Sequence, residues 1–250
     1  MTDALRQLWP LSQGDSELSA GRLAQLYDIP RLPWLRANFA CSVDGAAAIG
    51  GRSEPLSGSA DKQIFRLLRD QCDAIIVGAE TFRLERYRQL RVSDERQAAR
   101  VARGLAPHAR LVVISSSLDL DFSGSSYAGP SPRPRVITHR TSDPARRAAL
   151  TKHADVECIG ETSVDLPGML VRLHQLGLRR LLCEGGPRLF GELAAEGLVD
   201  ELCLTVSPQL SLADAPRITA GVDAGIPRTL QLAHVVHAGG VLLTRYLMVD

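Results

Sequence analysis

The chain has 250 residues, 45% of them hydrophobic, and a formal net charge of +1. A core of that size suits one large α/β domain or two small ones, and the balanced charge excludes a global pull toward nucleic acid or an acidic membrane surface. The 5 cysteines are odd in number and lack a C-x-x-C spacing, which argues against a disulfide framework or structural zinc site and for a reducing compartment.

Residues 1–33 are mixed in character and punctuated by proline, and are expected to form an N-terminal extension before a domain at 34–250. Within it, Leu23 to Tyr27 suggests a short helical turn, and Met1 to Pro10 carries no apolar signal core. No segment approaches the ~18 apolar residues of a spanning helix, so the expectation is a cytoplasmic protein without a membrane partner. Leu35 to Ser42 reads as a strand that turns at Asp44-Gly45. Ser59-Ala60-Asp61 is a helix start, and Ile64, Phe65, Leu67 and Leu68 give that helix an apolar face. Ala74 to Val77 is a short buried strand ending at Gly78.

Leu111 to Ile114 and Arg135 to Thr138 read as further strands, and Ser123 to Pro134 as a Gly/Ser/Pro-rich surface loop. Asp143-Pro144 starts a helix to about Lys152, and Val156 to Ile159 is a strand. Asp165 to Leu176 is a helix closed by Gly177. Leu178 to Cys183 is an apolar strand, Pro187 to Glu196 a helix closed by Gly197, and Glu201 to Val206 a strand. Val235-Val236 and Val241 to Tyr246 flank Ala238-Gly239-Gly240 as a C-terminal hairpin. Strands alternating with helices predict an α/β fold: a central, mostly parallel sheet covered by helices on both faces, closed by an antiparallel hairpin.

Three strand ends are marked by glycine: Ser42-Val43-Asp44-Gly45, Val77-Gly78-Ala79-Glu80-Thr81 and Glu184-Gly185-Gly186. Ligands of open α/β sheets lie beyond the carboxyl ends of the strands, so parallel neighbours would bring these turns to one cleft. At the third, two glycines let backbone approach a ligand, and Pro187 opens a helix whose free N–H groups favour an anion. That suggests a phosphate seat with Glu184 beside it. His234 and His237 are three apart on a strand and cannot clamp one metal, so no metal site is expected.

Together these residues resemble a family. Asn38-Phe39-Ala40-Cys41-Ser42-Val43-Asp44-Gly45, Leu67-Leu68-Arg69, Asp73 to Thr81, Glu184-Gly185-Gly186-Pro187 and Leu198-Val199-Asp200-Glu201-Leu202 are similar in order and spacing to the pyrimidine reductases of riboflavin biosynthesis, which have a dihydrofolate-reductase-like, three-layer fold. The likeness runs from about Trp34 to the C-terminus and is strongest to stand-alone, actinobacterial-type members, some described as dihydrofolate reductases. It implies NADPH as cofactor, with Ala40, Val77, Gly78, Thr81, Glu85, Ser116, Gly185, Gly186, Pro187, Arg188 and Leu189 at cofactor-contact positions.

The resemblance also implies a phosphorylated ribosylamino-pyrimidine substrate, with Ser53, Arg69, Arg91 and Glu184 at matching positions. Arg88 competes with Arg91 for the second phosphate role, and Arg91 is favoured. The implied reaction takes the opened ribosyl imine to a ribityl amine by hydride addition at C1′. Asp44 and Glu85 are the candidates for handling the proton delivered to nitrogen. A homodimer is implied too. The sequence departs from the family at Glu85, where many members have Asp, and at Gln209-Leu210-Ser211, where a glycine is usual after Ser207-Pro208. These departures bear on the substrate more than on the cofactor and leave open an NADPH-dependent pterin or dihydrofolate reductase; since fold alone does not decide function, a non-catalytic nucleotide-binding protein is the second alternative. The zinc-deaminase signature H-x-E with P-C-x-x-C is absent from the sequence, so a deaminase step would belong to another chain.

Overall fold

Two stretches of almost unbroken aliphatic residues, Ala74-Ile75-Ile76-Val77 and Leu181-Leu182-Cys183, lose nearly all contact with solvent and form neighbouring parallel strands. In the computed structural model, residues 4–10, 17–88, 92–122, 132–222 and 227–249 are described. The chain divides into two compact units, Arg69–Gly186 and the discontinuous Met1–Leu68 with Pro187–Asp250.

The Arg69–Gly186 unit holds β3 (Ala74–Gly78), α3 (Ala79–Leu84), α4 (Asp94–Ala102), β4 (Arg110–Ile114), β5 (Arg135–Thr138), α5 (Pro144–Leu150), β6 (Asp155–Cys158), α6 (Leu166–Gln175) and β7 (Arg180–Cys183). Its strands lie in the order β7-β3-β4-β5-β6 and every pair is parallel. Parallel strands buried on both faces read as continuous apolar runs, which is why β3 and β7 were legible without alternation. From β3 the order steps outward through β4, β5 and β6, and then β7 returns to the opposite flank of β3. The carboxyl ends of β3 and β7 therefore flank the point where the strand order reverses, the usual crevice for a ligand in such sheets. Asp143 and Asp165 cap α5 and α6 by accepting from first-turn N–H groups.

The other unit holds β1 (Arg6–Trp9), α1 (Ala20–Leu26), β2 (Trp34–Ser42), α7 (Pro187–Ala195), β8 (Glu201–Ser207), β9 (Leu230–Ala238) and β10 (Val241–Met248). Helix α2 (Ser59–Asp70) runs along the chain from this unit to the first residues of the other. The strand order is β1-β9-β10-β8-β2, with β2 and β8 parallel and the remaining pairs antiparallel. The C-terminal hairpin is present, with both arms longer than the sequence predicted. Residues before Trp34 supply β1, which pairs with β9, and α1, which buries Leu23 and Ala24.

A buried carboxylate organises this unit. Glu201, fully enclosed, accepts from Arg36 Nε at 2.6 Å, Arg245 Nη2 at 2.8 Å and Trp34 Nε1 at 2.9 Å. Burial pushes its carboxyl up, but the Arg36 and Arg245 charges outweigh that and hold it below the usual range. The Arg36 Nη2 and Arg245 Nη1 groups extend the network to the carbonyls of Tyr27 and Leu26, each at 2.5 Å, which ties α1 to β2 and β10.

Candidate active site

The fold of the Arg69–Gly186 unit brings several of the predicted residues together at one end of its sheet. Strand register sets the arrangement: Ile76 lies level with Cys183 and Gly78 with Ile114. Just past the paired residues, the Gly78 N–H donates to the Gly185 carbonyl at 2.8 Å and the Glu184 N–H to the Ile76 carbonyl at 3.0 Å. Gly78 is the N-cap of α3, so Thr81 in its first turn faces the double glycine. An ideal Cβ at Gly186 would stand 2.4 Å from Thr81 Oγ1. Gly185 has a φ of +95°, a conformation that favours glycine, and the Gly185–Gly186 peptide is cis. The glycines here are thus fixed by a backbone conformation and by a close approach.

Glu184 stands at the end of β7 with its side chain 2% exposed. Arg69, from the last turn of α2, donates Nε to Oε1 and Nη2 to Oε2, each at 2.6 Å. Tyr87 Oη donates to the same Oε2 at 2.6 Å, and its ring lies 5.7 Å beneath the Arg69 guanidinium. Burial alone would lower the Arg69 pKa, but the Glu184 charge and its hydrogen bonds raise it above the ordinary value. Burial, then the Glu184 charge, pushes the Tyr87 phenol well above its usual value, so it stays a neutral donor. Arg69 and Glu184, read separately as substrate contacts, are here partners of each other. Tyr87 was given no role from the sequence, where it stands out only as a departure from the family pattern: a tyrosine in an arginine-rich loop carries no spacing signal, and its partner is 97 residues away.

Of the other predicted residues in this unit, Val77 is fully buried, Glu85 is half-buried at the C-cap of α3, and Ser116 is exposed just past β4. Ala79–Leu84, expected as part of a turn and loop, is a short helix. Arg88 is exposed, while Arg91 lies outside the described residues, as does most of the predicted 123–134 loop.

In the other unit, Asp44 is an exposed carboxylate fixed by three donors: Ser42 Oγ, and the N–H groups of Ser211 at 3.0 Å and Leu212 at 3.2 Å. The Ser42 hydroxyl first, then the Ser211 N–H, holds its carboxyl below the usual range. The residues Gln209-Leu210-Ser211 that replaced an expected glycine thus supply a donor to this turn. Ala40 is half-buried in β2, and Ser53 is exposed at the start of a 3₁₀ turn, Glu54–Leu56. Pro187, Arg188 and Leu189 form the first turn of α7, which contains no acid. Phe190 of that helix packs against Phe39 of β2 with ring centroids 4.8 Å apart.

The residues present fit a dinucleotide. Gly186 approaches Thr81 closely, Gly185 holds a conformation that favours glycine, and the pair lies where the strand order of its unit reverses. Among the described residues no group of three or more His, Cys, Asp or Glu is placed to hold a metal, and no helix is long and apolar enough to cross a membrane.

Residues 33–244 match the RibD C-terminal domain family. The chain is 31% identical over 186 residues to the 2,5-diamino-6-ribosylamino-4(3H)-pyrimidinone 5′-phosphate reductase of Methanothermobacter thermautotrophicus, which covers 71% of this chain and 79% of the relative. It is 30% identical over 177 residues to the protein of the same name from Archaeoglobus fulgidus, covering 70% and 80% respectively. Among solved structures it resembles a pyrimidine reductase-like protein from Corynebacterium diphtheriae, with a TM-score of 0.80, 26% identity, and coverage of 87% of this chain and 92% of that one.

Proposed function

The chain belongs to the RibD C-terminal domain family, and on that premise we propose that it is an NADPH-dependent reductase of a 5′-phosphorylated ribosylamino-pyrimidine in riboflavin biosynthesis. The names of the relatives, which act on 2,5-diamino-6-ribosylamino-4(3H)-pyrimidinone 5′-phosphate, support this substrate class. The match over residues 33–244 supports a reductase domain at 34–250 preceded by an extension at 1–33. The observation that carries the reading is the meeting of Gly78, Thr81, Gly185 and Gly186 beside the Arg69–Glu184 pair at the reversal of strand order.

The cofactor, when bound, supplies a hydride for the substrate carbon. The residues assigned to hold it are Val77, Gly78, Thr81, Glu85, Ser116, Gly185 and Gly186, continuing into Pro187, Arg188 and Leu189, with Ala40 from β2. Gly185 and Gly186 let it approach backbone, and Thr81 Oγ1 offers a hydroxyl beside them. Glu184 accepts an N–H of the pyrimidine, while Ser53, Arg69 and a second arginine, Arg91 favoured over Arg88, serve the ribose phosphate. Asp44 and Glu85 are the two side chains proposed to handle the proton that reaches the substrate nitrogen, directly or through water. Asp44 also braces the turn after β2 through its Ser42, Ser211 and Leu212 donors.

One observation favours a second reading. Arg69 gives its Nε/Nη2 edge to the Glu184 carboxylate, so the charge that a 5′-phosphate would use is already balanced. The neutral pteridine ring of a substrate such as dihydrofolate, which carries no phosphate, demands less of it. Steady-state NADPH oxidation with the pyrimidine phosphate and with dihydrofolate, side by side, separates the two readings. Absence of turnover with both, alongside measurable NADPH binding, would favour a nucleotide-binding protein instead.

A further inference from the structure

The Glu184 carboxylate is loaded unevenly. Among the described residues Oε2 takes two donors, Arg69 Nη2 and Tyr87 Oη, whereas Oε1 takes one, Arg69 Nε. A carboxylate oxygen accepts about two hydrogen bonds. The arrangement therefore saturates Oε2 and leaves acceptor capacity on Oε1. The tyrosine responsible is itself held from two sides. Its N–H donates to the Phe82 carbonyl at 3.0 Å, its ring stacks on Phe82 with centroids 6.3 Å apart, and Phe82 packs on Phe122 at 5.1 Å. The residue before it, Arg86, has a φ of +50°, which turns the chain sharply so that Tyr87 reaches Glu184.

Phe82 and Thr81 are consecutive in α3. One short helix thus sets both the wall against Gly186 and the ring that carries the Tyr87 hydroxyl. We propose that Tyr87 is the positioning residue of this site: by saturating Oε2 and covering the Arg69 guanidinium, it fixes the rotation of Glu184 so that Oε1 meets an N–H donor of a heteroaromatic ring. This rests on the reading of the protein as a reductase with Glu184 in the substrate site. Tyr87 touches neither reacting carbon nor cofactor in this role. Its contribution falls on substrate binding and not on the chemical step.

The test uses the full chain and 2,5-diamino-6-ribosylamino-4(3H)-pyrimidinone 5′-phosphate as probe, followed by calorimetry and by turnover. Tyr87→Phe keeps the ring and removes only the hydroxyl. It is expected to weaken probe binding and raise KM about tenfold, the scale of one hydrogen bond to a charged group, with kcat within about twofold and NADPH affinity unchanged. In a Glu184→Gln background the same change should add little, because the hydroxyl has lost the charge it serves. Wild-type probe affinity in Tyr87→Phe, or a full additional loss on top of Glu184→Gln, overturns the proposal. A wild-type protein that binds the probe without reducing it refutes the reductase reading, while the calorimetric ratio still decides the role of Tyr87. A wild-type protein that does not bind the probe refutes both.

Discussion

Arg69 and Glu184 form a side-on ion pair at the carboxyl end of β7, with guanidinium Nε 2.6 Å from Oε1 and Nη2 2.6 Å from Oε2. The acid is nearly sealed and the base 23% exposed, so the pair sits at a protein–solvent boundary. Removing the base strands a buried charge, which typically costs about 3–5 kcal/mol. Arg69→Ala should destabilise the protein on that scale in denaturant unfolding. Arg69→Ala with Glu184→Gln should recover a clear part of the loss, since a neutral amide tolerates burial better. Equal stability of the single and double variants would mean that the carboxylate is not held by this partner.

The glycine seat makes a second, steric prediction. Gly186→Ala places a methyl 2.4 Å from Thr81 Oγ1, and overpacking of this kind costs about 1–3 kcal/mol. Thr81→Ala in the same chain removes the clashing oxygen and leaves the former Cβ position at 3.7 Å, an ordinary contact. Stability should therefore return in the double variant, while NADPH affinity, measured by calorimetry, stays reduced because the hydroxyl is gone. Recovery of stability and affinity together would remove Thr81 from the cofactor contacts.

Both glycines, Thr81, Arg69 and Glu184 were legible in the sequence because strand-ending glycines and a family pattern mark them. Their pairing was not: Arg69 and Glu184 are 115 residues apart, and only the fold brings the last turn of α2 beside the residue that follows β7. The strands that were read correctly are apolar runs whose burial dictates their conformation. Helix α4, Asp-Glu-Arg-Gln-Ala-Ala-Arg-Val-Ala, escaped because its apolar positions are few, and it is anchored by Arg100, which donates to the carbonyls of Arg69, Cys72 and Ala106. Strand β1 escaped because four residues gain a strand conformation only by pairing with β9, more than two hundred residues on.

A third prediction concerns pH. His234 is buried edge-on to Tyr27, with ring centroids 4.6 Å apart, and among the described residues its Nε2 has no hydrogen-bond partner. Burial first, then the Arg245 charge, pushes its imidazole down to about 4. In the unfolded chain it titrates near 6.5. Between those values the unfolded state binds a proton that the folded state refuses, so stability rises with pH across the window and is lost on acidification. The Tm should fall as pH drops from about 6.5 to about 4, and His234→Phe should flatten that slope. An unchanged slope in the variant would assign the acid sensitivity to other groups.

The measurement closest to the central claim is steady-state NADPH oxidation by the wild-type chain, with the pyrimidine phosphate and dihydrofolate compared at equal concentration. The account predicts turnover of the pyrimidine phosphate with the higher kcat/KM, and a loss of about tenfold or more of that value in Glu184→Gln. Turnover of dihydrofolate alone, or a Glu184→Gln variant with undiminished kcat/KM on the pyrimidine, would contradict it.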